Sequence, residues 1–205
     1  MTGDLFDNGG PRRLDLPDAD IYYWPSADLG LRQDLILQQL IEQTPWRSEV
    51  ITLWGKHYQQ PRLAAWYGDS DARYTYSGLS LEPLPWTDLL ADLRRRVEAL
   101  AEASFNSVLL NYYRDHRDSM GMHSDDEPEL GRNPVIASVS LGEQRTFILK
   151  HKFKKDLKPV HLELEPGSLL LMKGATQHHW KHGINKVSSP CGPRVNLTFR
   201  RIFAS

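Results

Sequence analysis

His123 and Asp125 stand one residue apart in GMHSDDEPE, with Asp126, Glu127 and Glu129 close behind. Side chains two apart in extended backbone point the same way, so an imidazole and a carboxylate would project together. Three kinds of chemistry suit such a pair: a solvated acidic turn, a general acid/base couple, or two ligands of one metal ion. Further along, ATQHHWKHGINK supplies His178, His179 and His182. Two histidines and one carboxylate on one face of a metal leave positions open, the arrangement of non-haem Fe(II) oxygenases. Zinc favours a closed tetrahedral set or a single open water position, and the chain offers none of the paired cysteines of a structural zinc site.

PRVNLTFRR carries a second pattern. With a period of two, Arg194, Asn196, Thr198 and Arg200 share one face of a strand, and Val195, Leu197 and Phe199 share the other. The polar face could be solvated, or it could clamp a dicarboxylate, because guanidinium meets carboxylate in a bidentate, charge-assisted pair. The apolar face is expected between two sheets. Cys191, between Pro190 and Gly192, has no partner pattern for nucleophilic catalysis.

The elements that must position these groups follow from periodicity. Residues 1–20, rich in Asp, Gly and Pro, read as a flexible arm. LGLRQDLILQQLIEQ and PWTDLLADLRRRVEALAEA have helical apolar spacing, the second with Pro85 near its first turn. Between them lies an aromatic-rich stretch broken by Gly and Pro, read as short strands and loops. From Asn106 strands dominate: SVLLNYY puts Leu109, Asn111 and Tyr113 on one face, and PVIASVSLGEQRTFILKHK, VHLELEPGSLLLMKG and RVNLTFRRI supply the rest. Helices followed by about eight strands suit a mainly β, α+β jelly roll with helices packed outside.

Composition sets bounds. The chain has 205 residues, 40% hydrophobic and 25% charged, with a net charge of −1 and a pI near 6.7. That allows one domain with a substantial core. A polyanion would have to be gripped by local patches: Lys56 and Arg62, the run Arg94–Arg95–Arg96, or the tip His151–Lys152–Phe153–Lys154–Lys155 with Lys158. The arginine run suits a solvated helix face. A single cysteine fits a reducing compartment. No apolar run reaches the roughly 20 residues that span a bilayer, and the N-terminus lacks the order of a signal peptide. The expectation is a cytoplasmic protein with no membrane partner.

FNSVLLNYYRD, MHSDDEPEL, PVIASVSLG, HHWKHGI and PRVNLTFRRI, in that order, resemble the AlkB family of Fe(II)/2-oxoglutarate-dependent dioxygenases, which demethylate nucleic-acid bases. WGKHYQQPRLAAWYGD and YTYSGLSLEPLPW resemble the nucleotide-recognition lid of its animal DNA-repair members, and the likeness runs from about Trp54 to Ile202. The resemblance implies a single domain, a double-stranded β-helix with its core at about 105–203 and the lid at about 50–85. It implies Fe(II) on His123, Asp125 and His182, since family members place the second histidine after a Trp-x step. It implies 2-oxoglutarate held by Asn111, Tyr113, Arg194, Asn196, Thr198 and Arg200, with O₂ as oxidant. Asp126 would lie beside the substrate base, where a carboxylate favours cationic lesions such as N1-methyladenine and N3-methylcytosine. Trp54, Gly55, Lys56, Tyr67, Tyr74, Thr75 and Tyr76 would contact the substrate, the aromatics by stacking.

The function so implied is oxidative demethylation of N-alkylated bases in DNA, with RNA as the open alternative, by a monomer that repairs alkylation damage. Two rivals are an oxygenase of the same chemistry acting on protein or a small molecule, and a non-catalytic nucleic-acid binding module.

Overall fold

Strand-forming segments rich in β-branched and aromatic residues make up the larger part of the regular structure in the computed structural model. It describes residues 10–53, 56–72, 74–76 and 79–203, with backbone alone at 49–53, 56–58, 74–76 and 79–81. The first half holds β1 (Arg12–Leu14), β2 (Asp20–Trp24), α1 (Gln33–Gln43), β3 (Arg47–Leu53), β4 (Lys56–Gly68), β5 (Tyr74–Tyr76), β6 (Leu79–Leu81) and α2 (Asp88–Ala101). The second half holds β7 (Ser107–Tyr113), β8 (Met120–His123), β9 (Ile136–Gly142), β10 (Arg145–His151) and β11 (Val160–Leu164). It ends with β12 (Ser168–Lys173), the single turn α3 (Thr176–His179), β13 (Trp180–Ile184) and β14 (Arg194–Arg200).

These strands make an eight-stranded sheet in the order β1-β2-β12-β9-β14-β7-β4-β3, and a four-stranded sheet in the order β11-β10-β13-β8. A separate ribbon pairs β5 with β6. The two larger sheets form the expected jelly roll. Part of the arm anticipated over residues 1–20 is instead structure: β1 pairs with β2, and β2 with β12. The segment DIYYW was not read as a strand because it is short and follows a run of Pro and Asp, yet Ile21 and Tyr23 are buried in the inter-sheet core.

Two apolar layers result. Ile36 and Leu40 of α1, and Leu90, Leu93 and Val97 of α2, pack on one face of the large sheet together with Val108, Leu110, Val139 and Leu141. Thr87 caps α2 by accepting a hydrogen bond from the Leu90 amide at 3.2 Å, as an N-cap should. Val195, Leu197 and Phe199 belong to this helix-side layer, not to the space between the sheets as periodicity suggested. The polar face of β14 therefore turns inward. Each of those three apolar side chains is fully buried, so truncating Phe199 to alanine should cost about 3–5 kcal/mol.

The arginine run does form a solvated, ion-paired helix face: Arg94 meets Asp69 and Glu98, while Arg95 and Arg96 share Asp92. No helix among the described residues is long and apolar enough to cross a membrane.

Candidate metal centre and its cavity

His123 ends β8 and His182 lies directly opposite it on β13. Residues facing each other across an antiparallel pair hold their Cβ atoms about 5 Å apart on the same side of the sheet, and the two imidazole centroids lie 4.4 Å apart. The ladder is irregular just beyond, between His182 and Ile184, where Gly183 comes so close to β8 that a Cβ would meet the Met120 carbonyl at 2.8 Å. Asp125 follows β8 in extended chain and projects beside His123. One ligand atom from each of the three residues lies within 4.8 Å of the others.

His123 and Asp125 each keep a ligand atom free. His123 Nδ1 is 2.9 Å from the Gly121 carbonyl, which fixes the proton on Nδ1 and leaves Nε2 free. Burial pushes the His182 imidazole down to about 3, with His123 and Arg200 adding to the effect and Asp125 opposing it. Its 3.5 Å approach to Asp125 is thus a neutral ring beside a carboxylate, not an ion pair. Burial alone would raise Asp125, but Arg200, His182 and His123 outweigh it and hold the carboxyl below its usual range. Arg200 Nη2 donates to Asp125 Oδ1 at 2.6 Å, and the Asp125 amide donates to Gln177 Oε1 at 3.0 Å. Two imidazoles and one ionised carboxylate converge, with His123 oriented by the Gly121 carbonyl and Asp125 by Arg200 and Gln177.

A cavity of about 430 Å³, open to solvent, extends from these three residues between the sheets. Its far wall is the inward face of β14. Arg194 is 1% exposed, lies over the Tyr113 ring at 5.0 Å, and donates from Nη2 to Ser140 Oγ at 2.9 Å. Its Nε and Nη1 have no partner. Burial pushes its guanidinium below the ordinary value, and the like charge of Arg145 adds to this. A buried cation with idle donors is expensive unless an anion joins it. Asn196 is held by Ser138 Oγ and the Val139 carbonyl, Thr198 donates to Asn196 Oδ1, and Arg62 Nε donates to Asn111 Oδ1 at 2.7 Å. Asn111 and Tyr113 line the cavity from β7, as their alternation required.

Arg62 is therefore not a phosphate contact: it is buried and braces Asn111. Its role was illegible because the two residues are 49 positions apart. Ser138 and Ser140 were also missed, although SVS in period two places both on one face. Phe147, stacked on His182 at 5.2 Å and 24°, gave no polar signal at all.

A second cluster, Asp18, His151 and His179, also gathers three ligand-type atoms within 4.8 Å. Its hydrogen bonds argue against a metal. His151 Nδ1 accepts from the amides of Phe153 and Lys154 at 3.2 and 2.9 Å, so the proton must be on Nε2, which donates to Asp18 at 3.1 Å. Lys154 Nζ takes the same carboxylate at 2.7 Å. His179 thus belongs to this clamp, and His178 faces the Arg132 carbonyl and Asn133. Of the three candidate histidines, His182 alone joins His123 and Asp125.

Other anticipated contacts fare unevenly. Tyr67 is 4% exposed within the helix-side layer, where it shares a small pocket with Thr44. It cannot stack on a substrate base, because its strand turns that position toward the helices. Asp126 is half-exposed and takes a 2.9 Å hydrogen bond from Lys152 Nζ, which also donates to the Gln177 carbonyl at 2.8 Å. Glu127 is not a simply solvated turn residue, since its Oε2 is buried without a partner. Trp54 and Gly55 lie outside the described residues, and so do the side chains of Lys56, Tyr74, Thr75 and Tyr76, whose backbone runs in β4 and β5.

The 2OG-Fe(II) oxygenase superfamily matches residues 31–200. Alpha-ketoglutarate-dependent dioxygenase alkB homolog 3 of Homo sapiens is 44% identical over 178 residues, covering 83% of this chain. The chain spans 62% of the length of that relative. DNA oxidative demethylase ALKBH2 of Mus musculus is 42% identical over 172 residues, covering 81% of this chain and 72% of its own length. The solved structure of OsALKBH1 shares the fold, with a TM-score of 0.61 at 17% identity over 93% of this chain and 99% of that one.

Proposed function

Because the chain belongs to the 2OG-Fe(II) oxygenase superfamily, and within it to the AlkB homologues, we propose that it demethylates N-alkylated bases in DNA, with RNA as a further substrate, in the repair of alkylation damage. The observation that carries this reading is Arg194: a fully buried guanidinium with two idle donors, facing the same cavity as His123, Asp125 and His182. That donor set suits Fe(II) with open positions, and the idle guanidinium suits the distal carboxylate of 2-oxoglutarate. The residues present fit both groups.

When bound, iron, 2-oxoglutarate and O₂ supply the oxidation that converts an N-methyl group to N-hydroxymethyl, which leaves as formaldehyde, with succinate and CO₂ as co-products. The chain's own residues do the rest. His123 and His182 would offer Nε2 lone pairs, and Asp125 the carboxylate oxygen that Arg200 leaves free. Arg200 keeps that carboxylate ionised and fixed. Arg194 would orient the cosubstrate by its far end, while Asn111, Tyr113, Asn196 and Thr198 form the surrounding wall. Asp126, next to the metal-side carboxylate and half-exposed, would favour a positively charged base at the mouth. A base inside a duplex is unreachable, so the target must be unpaired or flipped out.

The test is release of formaldehyde, with stoichiometric succinate, from methylated single- and double-stranded DNA and RNA, using His182→Ala as control. DNA carrying N1-methyladenine or N3-methylcytosine should be turned over. Succinate formation without formaldehyde from any oligonucleotide would transfer the assignment to a protein or small-molecule substrate.

A further inference from the structure

The turn between β10 and β11 carries KHKFKKDLK at residues 150–158, five lysines against one aspartate. At its tip Phe153 is 68% exposed. Two imidazoles approach the ring at steep angles, His151 at 6.2 Å and 73° and His179 at 6.0 Å and 80°, so the ring stands propped with a broad surface open to solvent. The backbone beneath it is anchored. The amides of Phe153 and Lys154 both donate to the buried His151 Nδ1, and the Lys152 amide donates to the His179 carbonyl at 2.7 Å. This is a preorganised aromatic, not a frayed loop, and binding to it would cost little ordering entropy.

The charge around it is unbalanced. Lys150 on β10 lies directly opposite Lys181 on β13, and both are exposed. Like charges facing each other across a ladder repel, and no described acidic residue pairs with either. Lys155 and Lys158 are likewise exposed with no ion pair among the described residues. A polyanion laid along this edge would relieve the repulsion. The edge borders the candidate centre, because Lys152 Nζ reaches Asp126, the residue after Asp125.

We propose that Phe153 is a stacking platform for an unpaired base neighbouring the target nucleotide, with Lys150, Lys155, Lys158 and Lys181 neutralising phosphates of the same strand. This rests on the nucleic-acid reading above and deepens it. A single upright ring amid unpaired cations matches the alternation of flat base and phosphate in a single strand. A protein partner would call for a wider apolar surface, and a duplex would keep its bases stacked on one another.

The test uses the full chain and fluorescence anisotropy of a labelled single-stranded oligonucleotide with one N1-methyladenine, in the absence of 2-oxoglutarate. Stacking contributes about 1–3 kcal/mol per base, so Phe153→Ala should weaken binding about 5- to 150-fold, and Phe153→Trp should restore it. The salt dependence should stay unchanged in Phe153→Ala, whereas a Lys155→Gln/Lys158→Gln pair should lower its log–log slope by about 1.4, at about 0.7 per single-strand phosphate. An abasic site at the contacted neighbour should abolish the difference between wild type and Phe153→Ala. Binding within twofold of wild type for Phe153→Ala overturns the proposal, as does a loss that no abasic position removes. So does Phe153-dependent capture of phosphatidylserine vesicles with no effect on the oligonucleotide. Wild type that releases formaldehyde while Phe153→Ala binds normally sinks this inference alone; wild type that neither binds nor turns over any oligonucleotide sinks the functional reading as well.

Discussion

Arg194→Met should move stability and cosubstrate affinity in opposite directions. The Arg194 guanidinium is 1% exposed, donates from Nη2 to Ser140, and has no hydrogen-bond partner for Nε and Nη1. Tyr113 offers its ring face at 5.0 Å, and no carboxylate among the described residues forms an ion pair with Arg194. Replacing a poorly compensated buried charge with an apolar side chain of similar volume is neutral or stabilising, by about 1–4 kcal/mol. Methionine fills the volume, and its loss of one hydrogen bond costs about 1 kcal/mol. The cosubstrate-free variant should therefore unfold at equal or higher urea concentration than wild type.

Affinity for 2-oxoglutarate should fall steeply, because a desolvated charge pair that loses one partner costs about 2–5 kcal/mol, or about 30- to 5,000-fold. Two assays decide it: urea unfolding without cosubstrate, and the KM for 2-oxoglutarate in formaldehyde release. A keto acid lacking the distal carboxylate, such as 2-oxopentanoate, supplies a control. Wild type should discriminate strongly against it, and Arg194→Met should discriminate little. A variant destabilised by several kcal/mol whose KM for 2-oxoglutarate rises less than threefold would show that the arginine serves the core and not the cosubstrate.

Three further outcomes are expected. Lys152→Met removes the cation that balances Asp126; losing a nearby unit charge is worth about 1–2 kcal/mol near a protein surface, so the ratio of kcat/KM for a cationic lesion over neutral N3-methylthymine should rise about 5- to 30-fold, and an unchanged ratio would remove Lys152 from lesion selection. Tyr67→Phe should leave the KM for the oligonucleotide unchanged, since the ring is buried in the helix-side layer, whereas a raised KM would return Tyr67 to the substrate. In metal-free protein, His182 is held near 3 against an unfolded value of about 6.5. The unfolded chain takes up that proton first as pH falls, so stability should drop from pH 6.5 toward pH 5 by up to about 1.4 kcal/mol per unit, and His182→Gln should flatten the slope measured by urea unfolding.

Local rules made part of the centre legible. Alternation with a period of two put His123 beside Asp125, and Arg194 in line with Asn196, Thr198 and Arg200, because side-chain direction in a strand depends only on parity. Parity says nothing about which neighbour covers each face. The apolar side of β14 turned out to meet α1 and α2, leaving the polar side between the sheets. Nor could spacing choose among His178, His179 and His182, since the choice depends on the register that sets His182 opposite His123. Arg62, Gln177 and Lys152 were out of reach for the same reason, as each acts on a residue at least 25 positions away.

That inversion of β14 explains how a small jelly roll can keep a charged interior. A sandwich whose inner faces were both apolar would collapse on itself and leave no cavity. Here the large sheet places the apolar residues of β14 against two helices, so the helix-side layer carries the packing of β14, while Tyr113 of β7 and Ile136 of β9 also join the apolar cluster between the sheets. The inner face is then free to hold Arg194, Asn196 and Asn111, braced by hydrogen bonds with Ser140, Ser138 and Arg62. Core and site share the same strands but opposite parities. A truncation on the outer parity, such as Phe199→Ala, should cost the domain about 3–5 kcal/mol of stability, whereas Arg194→Met on the inner parity should leave it folded and unable to hold its cosubstrate.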